Sequence, residues 1–178
     1  MRRALTEEAM TLYETIQQFS KMLKNLDKWL DKGVAHATAK SFDPNVLLDS
    51  RLAPDQFPLV RQVQSACDAA KFAAAYASGK TAPAHPDTER TMDEIRARIQ
   101  ACLAFVDSVT EAELAGGEDR KFTPGWLKGK WVRGGDFVNQ ISIPNFYFHV
   151  TTAYAILRHN GVEVGKMDFL GAVPIQEG

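Results

Sequence analysis

The sequence has no surplus of charge of either sign and no long hydrophobic run. Its 178 residues include 21 lysines and arginines against 22 aspartates and glutamates, so overall charge gives no reason to expect a nucleic acid or a membrane as a partner. No apolar run approaches the roughly 20 residues that span a bilayer. The basic residues 2 and 3 are not followed by the apolar segment of a signal peptide. We therefore expect a cytoplasmic protein.

Cysteine is also scarce. Cys67 and Cys102 are the only two, and each lies within an apolar helical pattern rather than in a CxxC motif. We expect two buried free thiols in a reducing compartment, with a disulfide or a catalytic thiol as the alternatives. The apolar fraction of 45% and the charged fraction of 24% are ordinary for a globular protein, and the length favours a single domain over residues 1–178.

Apolar residues recur at steps of three and four in four long stretches, which predicts four amphipathic helices. In the first, residues 6–8 (Thr-Glu-Glu) offer a cap and acidic first-turn side chains. In the last, Pro144 either kinks one helix or divides two. The predicted helices cover residues 6–39, 58–78, 87 or 88 to 109, and 135–161.

The segment 110–136 interrupts this pattern. It contains six glycines, and residues 120–123 and 130–133 alternate polar with apolar side chains, which predicts a short β-hairpin with Trp126 in its turn. A basic, aromatic hairpin can bind nucleic acid, but the chain has no basic surplus elsewhere, so we expect it to fold over one end of the bundle. The fold predicted is an all-α antiparallel four-helix bundle with a β-hairpin insertion before the last helix. The tail, 162–178, is expected to pack outside.

A candidate site lies in the stretch from Pro144 to Gly161. Asn145, His149 and Thr152 are spaced by four and three residues, so they share one helical face beside an apolar surface. Polar side chains in such a position either satisfy one another in a core or line a pocket. If they line a pocket, His149 is the candidate acid–base group, Asn145 orients a substrate and Thr152 contacts the ligand.

Two long motifs resemble the signatures of a known family. Residues 145–166 with 168–171, and residues 47–55 with 57–59, are similar to the two signatures of the DUF1993 family, and the resemblance spans nearly the whole chain. DUF1993 groups uncharacterised bacterial proteins within the DinB/YfiT-like superfamily, whose members are regarded as metalloenzymes. The resemblance implies a four-helix bundle and a homodimer. It also implies a divalent metal held by three histidines, as in the superfamily's thiol-dependent transferases and isomerases.

Only part of the superfamily's histidine set is present in this chain. Its last-helix motif has two histidines four residues apart, then a Leu-Arg pair and a glycine. His149 lies eight and nine residues before Leu157 and Arg158, so it matches the second histidine, and Asn145 stands at the place of the first. The second helix offers only Gln64 or Asp68 for the third.

Three hypotheses about function follow. Because amide oxygens suit Zn²⁺ or Ni²⁺ poorly, the first is a pocket around His149 that binds a small ligand, with Gln64 and Asp68 as further ligand contacts and no cofactor. The second is a metal-dependent transferase or isomerase in which Asp68 or Gln64 replaces histidine and a divalent metal binds weakly. The third is a non-catalytic dimeric module, in which His149 is a core residue bonded to Gln64, Asp68 or Asn145.

Overall fold

Four long helices form an antiparallel bundle, which confirms the predicted fold class. The computed structural model describes residues 10–175. Its helices are α1 (Leu12–Lys40), α2 (Leu59–Ser78), α3 (Met92–Asp107), α4 (Glu111–Leu114), α5 (Gly134–Phe137), α6 (Ile143–His159) and α7 (Lys166–Leu170). Strands β1 (Lys121–Phe122) and β2 (Val132–Arg133) pair between α4 and α5. The four long helices are α1, α2, α3 and α6; α2 lies between α3 and α6, and α1 contacts all three.

Helix α1 begins at a capping box. The Thr11 hydroxyl accepts a hydrogen bond from the Glu14 N–H (3.1 Å), and the Glu14 carboxylate accepts one from the Thr11 N–H (2.8 Å). This exchange satisfies two of the amide groups that a helix start leaves without partners. The helix therefore starts at Leu12, later than predicted; the predicted cap at residues 6–8 lies outside the described residues.

Helix α3 also starts later than predicted, at Met92 rather than at residue 87 or 88. Thr91 and Glu94 form the same capping box there. The residues before it, 79–91, contain two prolines and pack against α2 as an irregular loop. The loop is held in part by the buried Arg98 side chain, which reaches back from α3 to the Pro86 carbonyl and to the acidic side chains that follow it.

The core lies between the predicted apolar faces. Phe19 of α1 packs on Phe146 of α6, with ring centroids 4.4 Å apart. Helix α2 contributes mainly alanines, whose small side chains allow α6 to approach closely. The fully buried residues of the α1 stripe are Ile16, Phe19, Leu23, Leu26 and Leu30; those of the α2 stripe include Val63, Ala66, Cys67, Ala70, Ala73, Ala74 and Ala77.

A π-helical turn precedes the last long helix. Residues Val138–Ser142 form this turn between α5 and α6, and the Ile143 N–H reaches back five residues to the Val138 carbonyl. Pro144 sits in the first turn of α6, where its missing N–H and its ring disturb the normal bonding pattern. The helix is therefore neither divided into two nor continued regularly at Pro144. The π-helical turn before it contains one extra residue, which changes the direction in which the following side chains point around the helix axis.

The hairpin and the tail pack as predicted. Phe122 pairs with Val132 and stacks on Tyr76 near the end of α2, with centroids 4.2 Å apart. In the tail, Phe169 of α7 stacks on Trp29 at 5.4 Å, and the Trp29 indole donates to the Asp168 carbonyl at 3.1 Å. The hairpin thus covers one end of the bundle, and α7 covers the outside of α1.

The cysteines are buried free thiols, as predicted. The Cys102 thiol donates to the Cys67 carbonyl at 3.1 Å, and a thiol–thiol hydrogen bond together with burial raises the pKa of Cys67. Neither sulfur reaches the surface. Across residues 10–175, the structure contains no helix with both the length and the apolar character needed to cross a bilayer.

Candidate functional site

Three polar residues follow one face of the last helical segment. Ser142 ends the π-helical turn, Asn145 follows after three residues and His149 after four more. This spacing keeps the three side chains on the side of α6 that faces α2. Asn145 is exposed, whereas His149 and Ser142 are buried, with 8% and 2% of their surfaces accessible.

These residues line one wall of a cavity of about 360 Å³ between α2, α6 and the hairpin. The opposite wall comes from α2, and the exposed indole of Trp126, in the hairpin turn, forms one edge. The volume lies at the lower end of the range typical of small-molecule sites. The lining residues are Ser65, Asp68, Ala69, Phe72, Trp126, Phe137, Ile141, Ser142, Asn145 and His149.

The ring of His149 is held by one nitrogen. Its Nδ1 lies 2.7 Å from Oε1 of Gln62, and Nε2 of Gln62 donates to the Phe57 carbonyl at 2.9 Å. The other ring nitrogen, Nε2, makes no hydrogen bond within residues 10–175 and is open to solvent, since the buried side-chain atoms without a partner in this part of the chain are Ser142 Oγ and Arg98 Nε. Burial, followed by the positive charge of Arg61, lowers the pKa of His149 from its ordinary value. At neutral pH the imidazole is therefore uncharged.

Ser142 carries a buried hydroxyl that is not satisfied. Its Oγ is shielded from solvent and has no hydrogen-bond partner within the described residues. Buried polar groups are nearly always paired, because an unpaired one costs about 1–3 kcal/mol. Of the two such atoms in the described residues, Arg98 Nε belongs to a side chain whose other nitrogens are paired, whereas Ser142 Oγ lies on the lining of the cavity and at a π-helical turn, a feature frequent at functional sites.

On the α2 side, Asp68 belongs at once to the cavity and to an ionic network. Its Oδ1 accepts from Arg98 (2.8 Å) and from Lys71 (2.7 Å). The Arg98 side chain, 1% exposed, also bonds Glu89 at 3.1 Å and Asp87 at 3.3 Å. We call Asp68, Lys71, Asp87, Glu89 and Arg98 the Arg98 cluster.

The structure does not bring Gln64 or Thr152 to the cavity. The Gln64 carbonyl accepts from Arg61 (3.0 Å), and its amide donates to Glu89 (2.7 Å), so its side chain lies beside the Arg98 cluster. The Thr152 hydroxyl donates to the Phe148 carbonyl of its own helix at 2.7 Å. Of the five predicted site residues, His149, Asn145 and Asp68 share the cavity.

A larger cavity, of about 550 Å³, lies beside the C-terminal end of α1. His36 and Lys32 line it together with Gly161 and Glu163. Lys32 is already committed, because its ammonium bonds the Asp168 carboxylate at 2.7 Å and the Glu163 carbonyl at 3.1 Å. This cavity is larger, but its lysine already has partners, whereas the cavity at His149 contains polar atoms that make no hydrogen bond within the described residues. We therefore take the His149 cavity as the candidate site.

Comparison with known proteins identifies the family. The sequence model of a domain of unknown function (DUF1993) matches residues 12–170. The chain belongs to the DUF1993 family. A crystal structure described as that of a DinB family member protein from Shewanella denitrificans matches with a TM-score of 0.89 and 49% identity, over 94% of this chain and 96% of that one. No curated protein matches.

The side chains of this DUF1993 chain do not fit the three-histidine metal site that the DinB resemblance implies. Within residues 10–175 no group of three or more His, Cys, Asp or Glu side chains is placed to hold a metal ion. His149 is the one histidine at the cavity. The carboxylate on the cavity lining, Asp68, is already bonded to two cationic side chains, and the Gln64 side chain bonds Arg61 and Glu89 instead. A divalent cation would have to displace those cations and would find a single imidazole.

Two important residues of the site were not predicted from the sequence. Gln62 is a polar residue on the apolar face of α2, where only its 1% exposure shows that it needs an internal partner. Ser142 precedes Asn145 by three residues and could have been found by extending the helical stripe backwards. The π-helical turn hides this continuity, because the helix before Pro144 does not keep the normal period.

Proposed function

We propose that this DUF1993 chain binds a small organic molecule in the cavity beside His149 and does so without a metal. The observation that carries the proposal is the buried Oγ of Ser142, which has no partner within the described residues and lies on the same cavity wall as His149, whose Nε2 makes no hydrogen bond there. A packed core would satisfy the Ser142 hydroxyl. A ligand that bonds this hydroxyl would recover the free energy that the folded protein gives up at that atom, and it could bond the Nε2 of His149 as well.

The chemistry available in the cavity is that of a neutral imidazole. An uncharged His149 can accept a hydrogen bond or remove a proton at Nε2, and Asn145 can orient a bound polar group. The remaining surface, from Phe72, Phe137 and Trp126, suits an apolar or aromatic body. Whether the bound molecule is also transformed depends on its own chemistry, so the first experiment is a binding experiment.

The test is a thermal-shift screen of small hydroxylated and amine-bearing aromatic compounds. A ligand at a hundred times its Kd stabilises the folded state by about 2.7 kcal/mol, which gives a clear increase in Tm. We expect the shift to be lost in His149→Ala and reduced in Ser142→Ala. Thr152→Val is the matched control, because Thr152 lies on the same helix but bonds its own backbone; this variant should retain the shift.

One result would overturn the proposal. If compounds that stabilise the wild type stabilise His149→Ala and Ser142→Ala equally, the binding site lies elsewhere. If no compound in a broad screen shifts Tm, and His149→Ala changes only stability, the chain is the non-catalytic module of the third hypothesis.

We also propose that the protein is a homodimer in the cytoplasm, as the family resemblance implies. The exposed rings of Phe57 and Phe148, with 51% and 58% of their surfaces accessible, flank the Gln62–His149 pair and would be covered by a second copy. The two unjoined cysteines agree with a reducing compartment. Light scattering during size-exclusion chromatography tests the dimer; a monomeric mass at all concentrations would contradict it.

A further inference from the structure

We propose that Gln62 is a positioning residue: it fixes His149 in the tautomer that carries its proton on Nδ1, so that Nε2 faces the cavity as a hydrogen-bond acceptor. From this and from the proposed function, on which the second part rests, we infer the ligand class. The cavity would take a small neutral molecule with an apolar ring and an O–H or N–H group directed at Nε2.

The first step is the orientation of the Gln62 amide. A backbone carbonyl can only accept hydrogen bonds, so the atom of Gln62 that lies 2.9 Å from the Phe57 oxygen must be the amide nitrogen. The amide oxygen is then the atom that lies 2.7 Å from the histidine ring. An assignment that could otherwise be reversed is thus fixed by the chain of hydrogen bonds.

The second step carries this orientation to the histidine. The Gln62 oxygen can only accept, so Nδ1 of His149 must donate to it. A neutral imidazole has a single N–H, and with that hydrogen on Nδ1 the other nitrogen, Nε2, keeps its lone pair. The reverse tautomer would set two lone pairs 2.7 Å apart.

The Phe57 carbonyl is itself held in place. Pro58 follows Phe57 and restricts it to an extended backbone, and the next residue, Leu59, donates its N–H to the Ser50 carbonyl at 2.9 Å. Gln62 lies in the first turn of α2, and its side chain is 1% exposed. The relay therefore runs from a fixed helix start, through a buried amide, to the ring that lines the cavity.

The charged groups around the ring leave the neutral form in place. On α2, Arg61 opposes a positive charge on His149, and the Asp68 carboxylate is paired with Lys71 and Arg98. From α5, the π turn, α6 and the hairpin, the cavity lining contains no charged side chain. Because Nε2 then accepts, the complementary ligand group is a donor, while Ser142 can serve as either partner.

The test of the tautomer is ¹⁵N NMR of the histidine rings in the ligand-free protein. Four histidines are present, and His149→Gln assigns the signals of His149. We expect a pyrrole-type Nδ1 and a pyridine-type Nε2. Gln62→Met, which keeps the shape of the side chain but removes both hydrogen bonds, should shift the population toward the reverse tautomer.

Gln64→Met is the matched control. Gln64 is as buried as Gln62, but it bonds Arg61 and Glu89 rather than the ring, so the tautomer should be that of the wild type. A wild-type spectrum with a pyrrole-type Nε2, or an unchanged tautomer in folded Gln62→Met, would overturn the role of Gln62. Backbone amide spectra establish that each variant is folded.

The ligand class is tested with phenol and anisole, which differ in the O–H group. We expect phenol to perturb the Nε2 signal and anisole to bind about tenfold more weakly or not at all. Equal binding would overturn the donor requirement but leave ligand binding in place. If neither probe binds while the tautomer is as expected, the inferred ligand class is overturned and the role of Gln62 stands.

Discussion

The two sides of helix α2 differ in how far their buried polar side chains are paired. On the side toward α3, the Arg98 cluster buries a guanidinium and surrounds it with three carboxylates. On the side toward α6, Gln62 satisfies only one nitrogen of His149, and Ser142 has no partner within the described residues. Asp68 lies between the two regions and contributes to both.

This difference separates a structural network from a candidate site. In the Arg98 cluster, the charges are used to hold the loop 79–91 against α2 and α3, and little remains for a ligand. At the His149 cavity, hydrogen-bonding capacity remains that folding does not use. Burial of polar groups therefore does not by itself indicate function. A group without a partner does so when it also lines a cavity, as Ser142 does, whereas the unpartnered Nε of Arg98 lies within an ion-pair network.

The largest expected effect comes from breaking the Arg98 cluster. Arg98→Ala removes the guanidinium that joins Asp68, Asp87 and Glu89, while Asp68 keeps the buried Lys71 and Asp87 keeps Arg61. Removing one partner of a buried ion pair costs about 3–5 kcal/mol, and we expect the lower end of this range because the Asp68 and Asp87 side chains are about one third exposed. Chemical denaturation should show a loss of this size and an unchanged slope with denaturant concentration.

Arg96→Ala is the control for that variant. Arg96 lies on the same helix and pairs with Asp27 and Asp31 at 2.8 and 2.7 Å, but its side chain is 33% exposed. Exposed pairs contribute about 1 kcal/mol or less. If the two variants lose the same unfolding free energy, the buried ion pairs of Arg98 stabilise the protein no more than the more exposed pairs of Arg96.

The next effect is a dependence of stability on pH, since a histidine lies at each region: His149 at the cavity, and His85, in the loop 79–91, with its Nδ1 3.4 Å from the Lys71 ammonium of the Arg98 cluster. The pKa of His149 is lowered by burial and by Arg61; that of His85 is lowered by burial, Lys71 and Arg98. The unfolded chain binds these protons near the ordinary value of 6.5, whereas the folded chain binds them only at lower pH. The unfolded state thus takes up more protons, and stability falls as the pH drops below about 6.5.

The slope reaches at most about 1.4 kcal/mol per pH unit for each proton taken up on unfolding. Denaturation measured at several pH values between 7.5 and 5 gives the unfolding free energy as a function of pH. This dependence should be weaker in His149→Gln than in the wild type. The reduction should be smaller in His85→Gln, because the neighbours of His85 include the acids Asp68 and Glu89. If the unfolding free energy of His149→Gln depends on pH as steeply as that of the wild type, the His149 imidazole is no harder to protonate in the folded state than in the unfolded state.

Much of the fold could be predicted from the sequence because the apolar stripes of α1, α2, α3 and α6 are continuous. The hairpin was found from alternation and glycine content. The starts of α1 and α3 were predicted too early, since Thr11–Glu14 and Thr91–Glu94 form the capping boxes that decide them. Periodicity indicates which face is apolar, but caps determine where a helix begins.

The site could be predicted only in part. His149 and Asn145 could be found because the apolar residues of α6 indicate which side of this helix faces the core, and both residues lie next to that side. On α2, the choice between Gln62 and Gln64 depends on a rotation of that helix that the sequence does not fix, and the partner of His149 proved to be Gln62. The unsatisfied hydroxyl of Ser142 is a property of packing, so no local pattern reveals it.

A smaller effect tests the unsatisfied side of the comparison. Ser142→Ala removes a hydroxyl without a partner within the described residues, so it should leave stability unchanged or raise it by up to about 1 kcal/mol. Thr152→Val removes a hydroxyl that bonds the Phe148 carbonyl and should cost about 1 kcal/mol. A comparable loss in Ser142→Ala would show that its hydroxyl is satisfied, for example by ordered water.

The smallest expected effect is that of metal. Elemental analysis of untagged protein should find zinc and nickel well below stoichiometric amounts, with no difference between the wild type, His149→Ala and the control His159→Ala, whose histidine is exposed. The reason is that Asp68, which lies between the two sides of α2, is already ion-paired with Lys71 and Arg98. A metal ion would have to replace these cations. Stoichiometric metal that is lost only in His149→Ala would reverse this conclusion. Asp68 would then have to exchange its cationic partners for the ion, and the cavity and the Arg98 cluster would be parts of one site.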